Sequence, residues 1–159
     1  MRPSRNLKRA ERGQTLIEFA LVAPMILLFL FMIIDFGIAM DRRIVLQHAV
    51  REGARYAAVN GQNSLDSVKQ RTVDQAQGII KTSDVRITYT DMSNPADGTT
   101  TDVGDSVDVQ VCFTYDPVII RPILSGLFGG TLGAIKMNVT GSARLEQKAL
   151  SPPGDAPCP

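Results

Sequence analysis

Hydrophobic and polar positions divide the chain into a membrane-length apolar stretch, two helical patterns and three alternating ones. From Ala20 to Ile34 the sequence ALVAPMILLFLFMII carries no charge, and the mostly apolar stretch from Gln14 to Met40 is interrupted only by Glu18 and Asp35. As a helix, its 27 positions (14 through 40) extend roughly 40 Å, more than the ~30 Å hydrocarbon core of a bilayer. Beyond it Leu46, Val50, Ala54, Ala57 and Gly61 recur at helical spacing with Gly53 alongside, which predicts a narrow face of small residues packed against another element. Asn60-Gly61 is a helix stop. Ser64 is the cap of a second helix whose face is Leu65, Val68, Thr72, Ala76 and Ile79 and whose end is expected near Lys81.

Three period-2 runs come next. Val85, Ile87 and Tyr89 alternate with Arg86 and Thr88; Val107, Val109, Val111, Phe113 and Tyr115 alternate with Asp108, Gln110, Cys112 and Thr114. In the third, Ile135, Met137, Val139, Ala143 and Leu145 alternate with Lys136, Asn138, Thr140, Arg144 and Glu146. Long connections at 91–104 and 116–133 predict an antiparallel meander without tight hairpins. The expected class is α+β: a long N-terminal membrane helix running into a domain with a second helix and a three-stranded antiparallel sheet. The apolar, glycine-containing segment 122–130 is read as a lid over the small core, with an exposed subunit or membrane contact as the sharper alternative. Residues 151–159 carry four prolines and read as a loose tail.

Charge sets the expected orientation. Arg2, Arg5, Lys8, Arg9 and Arg12 precede the apolar stretch against one acid, Glu11, which favours an N-terminus in the cytoplasm. The bias is moderate, because Arg42, Arg43, Arg51 and Arg55 come after the span. The apolar stretch is too long for a secretory signal core, and FGIAMD at its far end lacks a clear small-x-small cleavage site. The expected organisation is therefore 1–13 cytoplasmic leader, 14–40 membrane span, 41–150 extracytoplasmic domain and 151–159 tail. With 17 basic and 16 acidic residues, net +1, no global field draws in nucleic acid.

Glu18 is the residue with chemistry to explain. A charged side chain at mid-bilayer costs about 2.5 to 3.5 kcal/mol on insertion scales, less near the interface. Either the carboxylate rests at headgroup level beside the positive end of the helix dipole, or it pairs with something. Pro24, inside the same helix, removes a backbone hydrogen bond and tends to kink the axis, as prolines of membrane helices commonly do.

The run Gly13-Gln14-Thr15-Leu16-Ile17-Glu18-Phe19, after a short basic leader and before a long apolar helix, resembles the processing motif of type IV prepilins. Val45 to Ala58, with its Arg51-Glu52-Gly53-Ala54-Arg55 core, resembles the segment after the membrane helix in TadE-like minor pseudopilins of tight-adherence pili. The resemblance implies cleavage after Gly13 by a prepilin peptidase, a new N-terminus at Gln14, and assembly roles for Glu18, Phe19 and Pro24. Cleavage would create an α-ammonium at Gln14 that a Glu18 carboxylate can neutralise across a subunit boundary. Implied partners are the membrane, the peptidase, other pilin and pseudopilin subunits and the pilus secretion platform. The implied location is the bacterial inner membrane, single pass with the C-terminal domain outside, or the pilus at the cell surface. The alternative is an uncleaved anchor displaying a small binding domain.

Other motifs are weaker. Cys112 and Cys158, both outside the cytoplasm on this topology, are disulfide candidates whose bridge would pin the tail to the second strand. With His48 they do not make a zinc site. Asp91, Asp97, Asp102 and Asp105 miss the alternation of a calcium loop and read as a solvated turn. Asn138-Val139-Thr140 fits a glycosylation triplet but falls within an expected strand. No nucleophile has a visible base, so neither an enzyme nor a cofactor is expected.

Overall fold

A computed structural model describes residues 7–60, 64–92, 101–129, 134–149 and 154–158, the side chains of 7–13 and 127–128 excepted. Its helices are α1 (Leu7–Val59), α2 (Leu65–Gln75) and α3 (Ile120–Phe128), and its strands are β1 (Val85–Thr90), β2 (Ser106–Tyr115) and β3 (Ile135–Arg144). The strands form one antiparallel sheet in the order β1-β2-β3, so the architecture is the expected α+β meander. The chain divides into two compact units, Met1–Ile38 with Pro117–Leu132, and Ala39–Asp116 with Gly133–Pro159.

In the first unit the most apolar window of α1 has none of its residues buried. Leu16, Phe19, Leu21, Met25 and Phe29 are all exposed, an arrangement that water would penalise and hydrocarbon would not. The helix continues through Pro24. It also continues backwards through Gly13 to Leu7, into the stretch expected to be leader.

The second unit is an ordinary core. Leu46, Ala49, Val50, Ala54, Ala57 and Ala58 of α1 meet Val85 and Ile87 of β1, Val107, Val109 and Val111 of β2, and Val139 of β3. Register explains why the residues are small. Ile87 pairs with Val109 and Val109 with Gly141, and a Cβ built on Gly141 would lie 2.7 Å from the carbonyl carbon of Val50 and 2.8 Å from the amide nitrogen of Arg51. The sheet touches the helix backbone itself at this point. A Cβ on Gly53 would collide with Oγ1 of Thr72, so α2 approaches α1 through a second missing side chain. Buried Thr72 satisfies its hydroxyl by donating to the Val68 carbonyl at 2.9 Å.

The alternation of the third strand fades toward its beginning. Val139 and Gly141 are buried, Met137 and Ala143 are half-buried and Ile135 is exposed. α2 starts where expected, the Ser67 amide donating to Ser64 Oγ at 3.3 Å, but ends at Gln75 rather than near Lys81. Gln77 and Gly78 both take positive φ, 54° and 79°, which terminates the helix. Ala76 is nevertheless buried, while Ile79 is half-buried against the core. Gly61, the second half of the expected stop signal, lies outside the described residues.

Two segments differ from their expected roles. The stretch expected to be a lid forms α3, clusters with the apolar part of α1, and contributes no residue to the core of the second unit. The tail, expected to be loose, is tied down over 154–158: Asp155 N–H donates to the Ile87 carbonyl at 2.7 Å and its carboxylate accepts from Ile87 N–H at 3.3 Å. The tail thus occupies hydrogen-bonding groups on the free edge of β1, a place where exposed strands otherwise invite aggregation.

The two glycine contacts should respond unequally to an added methyl group. Gly141→Ala pushes against backbone and should cost about 1 to 3 kcal/mol. Gly53→Ala must displace the buried Thr72 hydroxyl from its bond to the Val68 carbonyl, but it meets no backbone and gains about 1 kcal/mol of helix propensity, so its net loss should be smaller. Urea midpoints of the two full-length variants in detergent, compared with the parent, check the order.

Candidate functional site

The N-terminal candidates occupy successive turns of α1. Gly13 lies within the helix. Gln14 is exposed one turn before Glu18, and its side-chain amide donates to Glu18 Oε1 at 3.1 Å. Phe19 is 70% exposed on the same apolar surface, and Pro24 lies further along it, also exposed. Proline has no N–H to offer the Ala20 carbonyl, so the helix is locally weaker there. The structure therefore brings Gln14 and Glu18 together and sets them at the start of the apolar stretch of α1, whose side chains face outward.

The second acid of the apolar stretch behaves differently. Asp35 is only 4% exposed. Its carboxylate accepts the Ile119 N–H, 3.2 Å from each oxygen, and the Ile120 N–H at 2.7 Å. It acts from a distance as a helix cap for α3, satisfying donors that the first turn cannot satisfy internally. Sequence reading notes Asp35 only as an interruption. Its signal was the acid itself, but its partner lies 85 residues further on and no local pattern announces it.

In the second unit Cys112 and Cys158 form a disulfide with their Cα atoms 5.7 Å apart. Cys112 lies on the outer face of β2, paired with Asn138, and the Cys158 N–H donates to Gln110 Oε1 at 3.3 Å. A cross-link closing 46 residues is worth about 4 kcal/mol in the chain-entropy picture. Asp155 reinforces it through an ion pair with Lys69 Nζ at 2.8 Å. Burial pushes the Asp155 carboxyl up, but the Lys69 ammonium, the Ile87 N–H and the Arg86 charge together hold it below the usual carboxylate range.

The remaining polar groups serve structure. Asp105, expected in a solvated turn, is buried and accepts from Met92 N–H at 3.0 Å and Asp102 N–H at 2.9 Å, closing the base of the long loop. Glu52 bonds Arg55 at 3.0 Å and Arg71 at 3.3 Å. The Arg55 hydrogen bonds chiefly hold the Glu52 carboxyl below its usual value, against a smaller opposing push from burial. Arg42 lies over the ring of buried Tyr115, 5.5 Å from its centroid. Among the described residues no group of three or more His, Cys, Asp or Glu side chains could hold a metal ion. Asp97 lies outside those residues.

The TadE-like protein family matches residues 13–55, from Gly13 through the Arg51–Arg55 run. That segment of the chain is TadE-like, in agreement with the resemblance read from its residues, and it points to a protein associated with tight-adherence pili. Among the described residues one helix, near the N-terminus, is long and apolar enough to cross a membrane, which fits a single-pass membrane protein of such a system. Among curated proteins and solved structures nothing matches the chain.

Two measurements bear on the tail. Cys158→Ser, or reduction of the parent, should lower stability by about 2 to 4 kcal/mol, read as a shift in denaturation midpoint with and without reductant. Asp155→Asn should cost about 1 kcal/mol at neutral pH. Because the folded-state carboxyl is depressed, its contribution is complete above the unfolded value, roughly pH 4, and disappears as pH falls through the folded one. The variant and parent curves should therefore converge in acid.

Proposed function

We propose that the chain is a minor pilin-like subunit for assembly of a tight-adherence type IV pilus, cleaved after Gly13 by a prepilin peptidase. The observation that carries this reading is a carboxylate, Glu18, five residues after a glycine and exposed on an apolar helix, at the start of a TadE-like segment that begins at Gly13. Its role is structural, with no reaction of its own.

The chemistry comes from the spacing. Cleavage converts the Gln14 amide nitrogen into an α-ammonium one helical turn from Glu18. In apolar surroundings an unpaired ammonium is costly, and a carboxylate from the same or a neighbouring copy neutralises it. The Gln14 side chain bonds Glu18 at 3.1 Å, so the carboxylate is turned toward residue 14. The exposed surface around Phe19 and Leu21 then exchanges lipid for the helices of other pilin subunits, and the weakened turn at Pro24 lets the helix adjust as it packs. The leader's positive charge favours an N-terminus in the cytoplasm and the sheet domain outside the inner membrane, within reach of the peptidase, the other pseudopilins and the secretion platform.

One observation favours a second reading, an uncleaved single-span anchor displaying a small binding domain: α1 runs without interruption through Gly13, so the scissile bond lies in a helix that must unwind before a protease can grip it.

Mass spectrometry of the protein extracted from a peptidase-positive host separates the two. A mature chain beginning at Gln14 is expected; one retaining the arginine-rich leader contradicts the proposal. Glu18→Ala should abolish or strongly reduce pilus assembly while the chain still fractionates with membranes, whereas a plain anchor would be indifferent to it.

A further inference from the structure

The short helix α3 is the feature that the pilin reading leaves unused. Within its sequence IRPILSGLF, positions 120, 123, 124, 127 and 128 fall along one helical face and are all apolar, while Ser125 and Gly126 fall opposite and Arg121 lies at the flank. Ile120 is buried, Ile123 and Leu124 are half-buried, and Val118 just before the helix is 60% exposed. A face of this kind would ordinarily join the nearest core. None of these residues belongs to the core of the sheet domain, and the whole segment Pro117–Leu132 clusters with the apolar part of α1.

Asp35 fixes where along α1 the helix begins. It stands 21 positions after Gln14 (35 minus 14), about 31 Å along a helix, which is the thickness of the hydrocarbon core. The residues around it, Ile33, Ile34 and Phe36, are exposed and apolar. With Gln14 at the inner boundary, the carboxylate that accepts the Ile119 and Ile120 N–H groups falls where the hydrocarbon ends, shortly before the apolar stretch itself ends at Met40, and it holds the first turn of α3 at that level.

We propose that α3 is a membrane-interface helix, capped by Asp35 at the distal end of the span and lying with its apolar face in the acyl-headgroup boundary of the lipid bilayer. α3 belongs to the same compact unit as the exposed apolar surface of α1, and its own apolar face is only partly covered at Ile123 and Leu124, so the lipid that covers α1 is the phase within its reach. The side with exposed Ser125 and Gly126 is left to headgroups and water, as in other interfacial amphipathic helices. The seat sets the depth and rotation of the span. This inference rests on the single-span reading but not on cleavage at Gly13.

The chain contains no Trp, so single-tryptophan variants report cleanly. Leu124→Trp and Ser125→Trp, about 100° apart around the helix and thus on its apolar and polar sides, are reconstituted as full-length chains in phosphatidylcholine/phosphatidylglycerol vesicles. Leu124→Trp should emit at shorter wavelength and be quenched by lipids brominated near the carboxyl end of the acyl chain more than by lipids brominated deep. Ser125→Trp should be quenched by aqueous acrylamide instead. Equal acrylamide quenching of both, without bromolipid quenching of either, overturns the proposal. A blue-shifted Leu124→Trp emission that bromolipids leave untouched also overturns it, since a protein surface would then cover the face. Adding Asp35→Ala to Leu124→Trp should raise acrylamide access and weaken bromolipid quenching; no change overturns the capping role. All variants should co-float with vesicles. A chain left in the aqueous fraction overturns the single-span premise, and the interface seat with it, whatever the outcome at Gly13.

Discussion

The close approach of the α1 backbone at Val50 to β3 at Gly141 is the contact around which the sheet domain is arranged. With no side chain between them, the helix sits low enough for Leu46, Val50, Ala54 and Ala57 to reach the valines of β1, β2 and β3 directly. Dispersion and hydrophobic gains both depend on that distance, because a gap of even half an ångström forfeits a large part of each contact. The composition of α1 changes for the same reason. Its first part keeps large apolar side chains facing outward, because lipid gives no reward for drawing in a neighbour, whereas its second part is rich in alanine and glycine because a sheet must come close.

Much of this was legible without coordinates, and the failures have physical causes. The 3-4 spacing of small residues announced the packed face of α1, and strict alternation announced β1 and β2, because both signals arise within a single element. The end of α2 was misplaced because Gln77 adopts a left-handed conformation that a non-glycine residue seldom takes, and Ala76 and Ile79 prolonged the apolar spacing past the true stop. Gly141 was passed over although a glycine inside a strand pattern hints at close backbone approach. The fading of β3 toward Ile135 was invisible because alternation shows which residues share a face, not how far the cover on that face extends.

The tail failed for a different reason. Proline-rich composition says that a segment cannot form a helix or a central strand, and it was read as saying that the segment is loose. An edge strand offers partners that need no regular structure in return. Asp155 uses its own N–H and carboxylate on the two free groups of Ile87, and Gly154 passes the strand so closely that a Cβ there would meet the backbone of Ile87 and Thr88. Three residues beyond Asp155, the disulfide anchors Cys158 to β2. The Cys112–Cys158 bridge is the tie that the sequence offers as a candidate, whereas the Asp155 contacts are long-range and no local pattern contains them; together they shield part of an edge that would otherwise remain open to another chain.

The two acids of the apolar stretch show how the surroundings of a group, more than its identity, decide its role. Asp35 is buried and finds two backbone donors within its own chain, so its charge is compensated before any partner arrives. It stabilises a fixed arrangement, and its removal would strand the amides of Ile119 and Ile120. Glu18 is exposed and bonds a neutral side-chain amide one turn away. A carboxylate in that condition gains more than Asp35 from a nearby cation, and the gain rises as lipid or neighbouring helices exclude water. Sequence alone sets Glu18 apart by its spacing from Gly13 and leaves Asp35 as a break in a hydrophobic run. Their surroundings divide them: Asp35 completes the fold, and Glu18 stays on the exposed surface of the apolar helix.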